Sequence, residues 1–256
     1  MKILHISDLH FGPYFCHQAA ESLLVWCEKH EPNMILVSGD LTQRARSSQF
    51  RQCASYFENL RRICPVIAIP GNHDIPLYRF FERLNSPYDL YRKYISQELS
   101  QMLLPVPEIA IAALNTTHPT KKITNFHWNE GEFLKAANFF SQTETSCFRV
   151  LVVHQNPFAT PNFSPSKIAD FLATNRIHLL LSGHTHESFV FAVNSGSFQS
   201  IRAGCGTTLS TRGRGRERGQ NSLMVYTWHS PSLSMERFSL AVGGSEFSES
   251  GSWEFT

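Results

Sequence analysis

The sequence is poor in charge, has no clustered cysteines and lacks any long apolar run. Charged residues occupy 17% of its 256 positions, against about a quarter in ordinary globular proteins, so Ser, Thr, Asn and Gln must cover much of the surface. A net charge of +2 marks neither a polyanion binder nor an acidic protein. The six cysteines (16, 27, 53, 64, 147 and 205) form no Cys-x-x-Cys pair and fall in apolar or helix-patterned stretches. They read as small buried hydrophobes in a reducing compartment. The longest uninterrupted apolar run, Ile109 to Leu114, is six residues, too short for a membrane span. The apolar start is broken at His5 and ends at Asp8, short of a signal-peptide core. A cytoplasmic localisation is the expectation.

What the chain does contain is material for a core: 42% hydrophobic residues, 20 of them Phe. Short apolar runs recur, and each stops at a polar or glycine-containing turn. They are Lys2–Ser7, Met34–Ser38, Val66–Ile69, Ile109–Leu114, Val150–Val153 and Ile177–Leu181. Runs of this length with β-branched content read as buried strands. Helical periodicity fills the gaps over roughly 16–30, 47–61, 129–142 and 165–175. Asp8 to Asp40 and Asp40 to Asn72 are each 32 residues apart, the length of one βαβ unit. The 82 residues from Asn72 to His154 are too many for one crossover, so an extra helical piece is expected within 76–105. After His186 the runs 188–193, 198–203, 222–228 and 232–240 read as antiparallel strands, with Asn194-Ser195-Gly196 as a hairpin turn. A single domain over 1–240 is expected, followed by a loose Gly/Ser-rich tail, 241–256.

In open α/β sheets, ligands bind beyond the carboxyl ends of the strands. The residues at those ends are Asp8, His10, Asp40, Asn72, His73, His154, His184 and His186. One His or Asp after a strand is usually a cap or turn residue, but eight at five strand ends form a joint signal. In Asp8-x-His10 and His184-x-His186, extended backbone would point both side chains to one side. Hard oxygen mixed with imidazole nitrogen suits Mn, Fe or Zn over Ca. There are enough candidate ligands for two divalent metal ions sharing a carboxylate.

Asp8-Leu9-His10, Gly39-Asp40, Gly71-Asn72-His73-Asp74, His154 and Gly183-His184-Thr185-His186 together resemble the five-block signature of calcineurin-like metallophosphoesterases, in the family's order. The resemblance is to the compact bacterial phosphodiesterase-like branch. It implies an α/β fold, a βαβ sandwich of two mixed sheets flanked by helices. It assigns Asp8, His10, Asp40 and His186 to one ion and Asp40, Asn72, His154 and His184 to the other, with Asp40 bridging. It makes His73 an acid rather than a ligand, with Asp74 orienting it. Relatives often carry a second His after the His154 equivalent; Gln155 stands there, which implies altered substrate contacts. Two divalent ions, two aspartates and a bridging hydroxide would leave about one positive charge to attract a phosphate ester, with the hydroxide as nucleophile.

Three features lie outside the signature. The 76–99 segment interleaves Tyr78, Phe80, Phe81, Tyr88, Tyr91 and Tyr94 with Arg79, Arg83, Arg92 and Lys93. It reads mainly as an amphipathic helix pair packing its aromatics inward, and alternatively as a substrate cap. Residues 202–218 hold five arginines against one glutamate. Within them Arg212 and Arg214 are expected to contact substrate phosphate from a flexible loop, with a solvated hairpin loop as the plain alternative. Asn115, after a core strand, is a third expected substrate contact, whereas His118 and His127 read as loop residues. The resemblance implies a small phosphodiester or nucleotide substrate, such as a cyclic nucleotide. The alternatives are a sugar-nucleotide pyrophosphatase of the UDP-2,3-diacylglucosamine hydrolase type and a non-catalytic metal-binding scaffold. Nucleic acid is not an expected partner.

Overall fold

The computed structural model describes residues 1–122, 124–161 and 163–255. The chain opens with β1 (Lys2–Ile6), α1 (His17–His30), β2 (Met34–Val37), α2 (Ser47–Arg61) and β3 (Val66–Ala68). These are two successive βαβ units in which the three strands run parallel, Ile3 opposite Met34 and Ile35 opposite Val66. Short helices α3 (Phe80–Asn85) and α4 (Asp89–Tyr94) follow, then β4 (Gln101–Val106), β5 (Ile109–Ala113), α5 (Glu130–Ser141), β6 (Phe148–Val152), α6 (Pro165–Thr174) and β7 (Leu179–Ser182). α5 starts where Asn129 caps the free N–H groups of Gly131 and Glu132, and α6 starts at a proline whose missing donor costs nothing there. The last third is β-rich: β8 (Phe189–Ser195), β9 (Phe198–Gly204), β10 (Gln220–His229), β11 (Ser232–Ala241) and β12 (Ser248–Phe255).

Two mixed six-stranded sheets result, ordered β12-β11-β10-β1-β2-β3 and β4-β5-β6-β7-β9-β8. They face each other across a core holding Ile3, Met34, Leu36, Ile111, Val150, Leu181 and Met224. On the outer face of the first sheet, Leu4, Ile6, Ile35 and Val37 meet Leu23, Trp26, Phe50 and Phe57 of α1 and α2. On that of the second, Ala110, Leu151 and Leu180 meet Phe133, Phe140, Ile168 and Leu172 of α5 and α6. Successive strand residues therefore alternate between two apolar environments, so the central strands carry continuous apolar runs. The expected α/β sandwich is the observed fold. His5, which interrupts the first run, lies buried between Ser38 Oγ at 2.8 Å and Tyr226 OH at 3.3 Å. Burial lowers its pKa to about 3, the Asp8 charge opposing weakly, so it is a neutral core histidine.

Four expectations are corrected. Residues 248–255 are not a loose tail: they pair antiparallel with β11, Met235 opposite Trp253, and Phe247 is buried in the α1–α2 core. β9 is not purely antiparallel, since it also runs parallel to β7, Leu179 opposite Ile201. The helical piece expected within 76–105 is present as α3 and α4, followed by the edge strand β4. Its aromatics split: Tyr88 and Tyr91 are buried, with hydroxyls on Thr117 O and Ala68 O, while Tyr78 and Phe81 are 75% and 79% exposed. Finally, the arginine-rich stretch is not a hairpin loop. It joins β9 to β10, which lie in different sheets, so it must cross over the strand ends.

Candidate metal centre

The expected metal ligands come together at the strand ends. Asp8 and His10 follow β1, Asp40 follows β2, Asn72 follows β3, His154 follows β6, and His184 and His186 follow β7. Asp8, His10, Asp40, His184 and His186 all have φ between 48° and 68°. Asp and His tolerate this left-handed region better than most residues, and strain of this kind persists only where surrounding structure enforces it. Gly39 shows the crowding: its φ is +104°, and a Cβ there would stand 2.7 Å from His154 Nδ1.

Hydrogen bonds aim the ligand atoms. Asp8 Oδ2 accepts from Ser7 Oγ at 2.7 Å and from the His184 N–H at 2.9 Å, leaving Oδ1 directed at His186 Nε2, 3.0 Å away. His154 Nδ1 donates to Ser38 O at 2.7 Å and His186 Nδ1 donates to Arg212 O at 2.8 Å. Those bonds fix the tautomers and leave Nε2 of each ring as the coordinating atom. His10 Nε2 faces His186 Nε2 at 3.1 Å, and His154 Nε2 faces Asn72 Oδ1 at 3.0 Å. The Asp40 carboxylate divides: Oδ1 lies 3.3 Å from His154 Nε2, Oδ2 3.8 Å from His10 Nε2.

Two groups of potential ligands result, Asp8–His10–Asp40–His186 and Asp40–His154–His184, the ligand atoms in each lying within 4.8 Å of one another. Asn72 adjoins the second through His154. Asp8 Oδ1 and Asp40 Oδ2 are buried and receive no hydrogen bond. Buried carboxylate oxygens facing imidazole lone pairs are costly unless a cation lies among them. The residues present thus fit two divalent ions sharing Asp40.

The carboxylates and imidazoles also shift one another's protonation. Burial alone would raise the Asp8 and Asp40 carboxyls, yet the surrounding histidines hold both well below the usual range. His154 is buried, which disfavours its charge, but Asp40 pushes it up to about 9. Burial lowers His10 and His184 to about 4, keeping them unprotonated near neutral pH.

His73 stands beside this cluster without joining either group. Its Nδ1 donates to Gln43 O at 2.8 Å, and its Nε2 lies 3.2 Å from Arg212 Nη1. Asp74 does not orient it. The Asp74 carboxylate instead accepts from the N–H groups of Leu41, Thr42 and Gly71 and from the Thr42 hydroxyl. Burial and the nearby Asp40 charge raise its pKa to about 6 against those donors. It ties the β2 and β3 turns together, and the Gln43 carbonyl takes over the orienting role.

Arg212 reaches the centre, as expected of a substrate contact, but from an ordered loop. Its Nη1 is 3.2 Å from Gln43 Oε1 and 3.4 Å from His10 Nδ1. The loop is pinned by Glu217, buried and accepting from Ser188 N, Ser222 Oγ and Arg237 Nη1. Arg214 takes part through its backbone, donating its N–H to His186 O and accepting the Glu217 N–H, and its side chain is exposed. Asn115 is not at the centre. Its Oδ1 accepts from Thr117, and it lines a separate 380 Å³ cavity beside Arg92 and Glu98. Its neighbour Thr116 is the residue that meets His154, through its hydroxyl and the His154 N–H at 3.4 Å. Gln155 is fully buried and accepts from Thr116 Oγ1 at 2.8 Å. Ser7, Ser38 and Gln43 went unread in the sequence, although a serine just ahead of each strand-end aspartate, in Ser7-Asp8 and Ser38-Gly39-Asp40, is a legible signal.

Comparison with known proteins agrees with this geometry. A probable cyclic nucleotide phosphodiesterase of Pseudoalteromonas sp. (strain SM9913) is 34% identical over 82 residues, 29% of this chain and 31% of that one. A second protein of that name, from Synechococcus sp., is 24% identical over 64% of this chain and 61% of its own length. The matches thus span less than two thirds of either relative. The structure of a dimetal phosphatase from Danio rerio superposes on the whole chain and 98% of its own, with a TM-score of 0.69 at 9% identity, a likeness of fold. The pattern of the calcineurin-like phosphoesterases matches residues 1–188, which contain every strand-end ligand described above, and the chain belongs to that family.

Proposed function

We propose that the chain hydrolyses a small phosphodiester, with a cyclic nucleotide as the representative substrate. The observation that carries the phosphoesterase chemistry is the divided Asp40 carboxylate, shared between two groups of ligands in which Asp8 Oδ1 and Asp40 Oδ2 are buried and receive no hydrogen bond. Diester specificity draws its support from the two relatives named as probable cyclic nucleotide phosphodiesterases. Two divalent ions held by Asp8, His10, Asp40, Asn72, His154, His184 and His186 would supply Lewis acidity and lower the pKa of a bound water. Ser38 O and Arg212 O keep the His154 and His186 rings in the coordinating tautomer. His73 and Arg212 act as a pair on the leaving side. A phosphoryl or leaving oxygen arriving between them takes the guanidinium N–H, and Nε2 is then free to carry the proton that the leaving group needs.

Arg212 also gives substance to a second reading. The five signature blocks themselves contain no Arg or Lys, which would favour a singly charged diester. A guanidinium 3.2 Å from His73 removes that argument and suits the more highly charged pyrophosphate of a sugar nucleotide. The complete ligand set speaks against a scaffold that has lost its chemistry. A hydrolysis panel on Mn²⁺-loaded protein separates these readings. Bis-p-nitrophenyl phosphate and a cyclic nucleotide should be cleaved at least about tenfold faster than p-nitrophenyl phosphate or a UDP-sugar. Preference for the UDP-sugar would establish the pyrophosphatase, and a metal-replete but inert protein the scaffold.

A further inference from the structure

Across the site Arg212 meets Gln43, which lies in the turn after β2 and 169 positions earlier in the chain. Both residues are fixed first by their main chains. The Gln43 N–H donates to Phe11 O at 3.0 Å, and Gln43 O accepts from His73 Nδ1 at 2.8 Å. The Arg212 N–H reaches Ser210 Oγ at 3.4 Å, and Arg212 O accepts from His186 Nδ1 at 2.8 Å. Between these anchors the Gln43 side chain, 7% exposed, accepts at Oε1 from Arg212 Nη1 at 3.2 Å. Its Nε2 lies 3.4 Å from His73 Nδ1, whose hydrogen is already committed to Gln43 O. A guanidinium only donates, so the amide oxygen is the atom that must face it.

The other neighbours of this guanidinium hold it less securely. Nη1 is 3.2 Å from His73 Nε2 and 3.4 and 3.5 Å from His10 Nδ1 and Nε2, and the guanidinium carbon is 5.7 Å from the Tyr14 ring centre. With His10 Nε2 serving as a ligand atom, the ring hydrogen sits on Nδ1, which then donates and does not accept. His73 Nε2 accepts only until it carries the leaving-group proton. Tyr14 is 45% exposed, where a cation–π contact is weak. The Gln43 oxygen accepts in every one of these states. It is also neutral, and among the described residues no carboxylate pairs with Arg212. Arg212 Nε and Nη2 meet no acceptor among them either, and so remain for phosphoryl oxygens.

We propose that Gln43 is a positioning residue, whose neutral amide holds the Arg212 guanidinium beside His73 and His10 without cancelling its charge and so sets the affinity of the site for an anionic phosphoryl group. The inference rests on the phosphoesterase reading and adds the residue that fixes its cation.

The test is a double-mutant cycle read by calorimetric titration of inorganic phosphate into Mn²⁺-loaded wild type, Gln43→Met, Arg212→Ser and the double variant. Methionine fills nearly the same volume and keeps the backbone carbonyl that orients His73, so elemental analysis should find equal metal in all four. Gln43→Met should weaken phosphate about tenfold with Arg212 present and less than about twofold with serine there, because the two side chains act as one unit. A purely structural role in the β2 turn would weaken phosphate equally in both backgrounds, and that result overturns the proposal. So does a wild type that binds no phosphate. Gln43→Glu is closer still in shape and serves if the methionine variant does not fold. It keeps an acceptor oxygen but pairs with the guanidinium, so it should weaken phosphate more than it raises KM for the singly charged bis-p-nitrophenyl phosphate. Undiminished phosphate binding by Gln43→Glu shows that the neutral amide is not needed and overturns the proposal. Absence of bis-p-nitrophenyl phosphate hydrolysis by wild type overturns the diesterase reading, while the phosphate cycle still decides the role of Gln43.

Discussion

Residues 1–186 carry every proposed metal ligand, whereas residues 188–255 carry the parts that close and brace the centre. The two regions are built differently. In the first, each ligand sits at the end of a strand, aimed in part by neighbouring strand ends, as His154 is by Ser38 O and Asp8 by the His184 N–H. In the second, contacts reach back across the whole chain. Thr208 Oγ1 accepts from the Ser7 N–H, Thr207 Oγ1 donates to Asp8 O, and Arg212 O accepts from His186. β10 pairs antiparallel with β1, Lys2 opposite Thr227 and His5 opposite Met224. The difference teaches that a ligand set can be local while its rigidity is not. The family pattern ends at residue 188, yet the turn bearing Asp8 depends on residues about two hundred positions away.

The sharpest way to break that division is at Asp40. Asp40→Ala should strip both ions and lower kcat on bis-p-nitrophenyl phosphate by at least about four orders of magnitude. His118→Ala should keep both, and elemental analysis of the two variants decides; two ions retained in Asp40→Ala would end the bridging assignment.

His73→Ala follows in size. Metal content should be unchanged while kcat falls about 10²–10⁴-fold, and less for p-nitrophenyl than for alkyl leaving groups. Equal losses for both leaving groups would remove the proton-donor role and leave His73 as a positioning group for Arg212.

In the second region the largest effect should be structural. Phe247 is 3% exposed and packs on the α1–α2 core just before β12. Phe247→Ala should cost about 3–5 kcal/mol in urea unfolding while leaving the metal-loaded kcat close to wild type. A loss below about 1 kcal/mol would return this segment to the status of a loose tail.

Arg212→Ser tests whether the later region does more than brace. Any residue retains the backbone carbonyl that holds His186, so metal content should persist. Loss of the guanidinium should lower kcat on the small diester about ten- to a hundredfold, the worth of one charge-assisted hydrogen bond. Arg214→Ser, with its exposed side chain, should change it less than about twofold. Equal effects from the two would place the loop's role in general electrostatics.

The smallest effect concerns the thiols. All six cysteines are free and only Cys16 is partly accessible, so native protein should titrate at most one thiol and urea-unfolded protein six. Several reactive thiols before unfolding would contradict the packing of both regions.

Much of this was legible in the residues themselves. α1 at His17–His30 and α2 at Ser47–Arg61 fall on the periodic stretches read at 16–30 and 47–61, because amphipathic spacing is a local property. β12 was not, because Ser248–Phe255 is polar and Gly/Ser-rich, and its strand character comes from the unpaired edge of β11 beside it. Asp74 was misread for a related reason. Adjacency in sequence to His73 suggested a bond, but the turn sends the Asp74 carboxylate toward the β2 loop instead.

The sequence by itself placed the candidate ligands, because each follows an apolar run at a strand end. The resemblance to a known family, not the spacing, set them apart from His73 and Asn115, which follow such runs too. Tertiary structure alone decided which cations and hydroxyls stand beside those ligands. Arg212 reaches His73 because β9 and β10 lie in different sheets and the connection must cross the site, while Asn115 follows a core strand and still faces another cavity. Sheet order is set by burial summed over many residues, so no local motif announces where such a crossing loop will land.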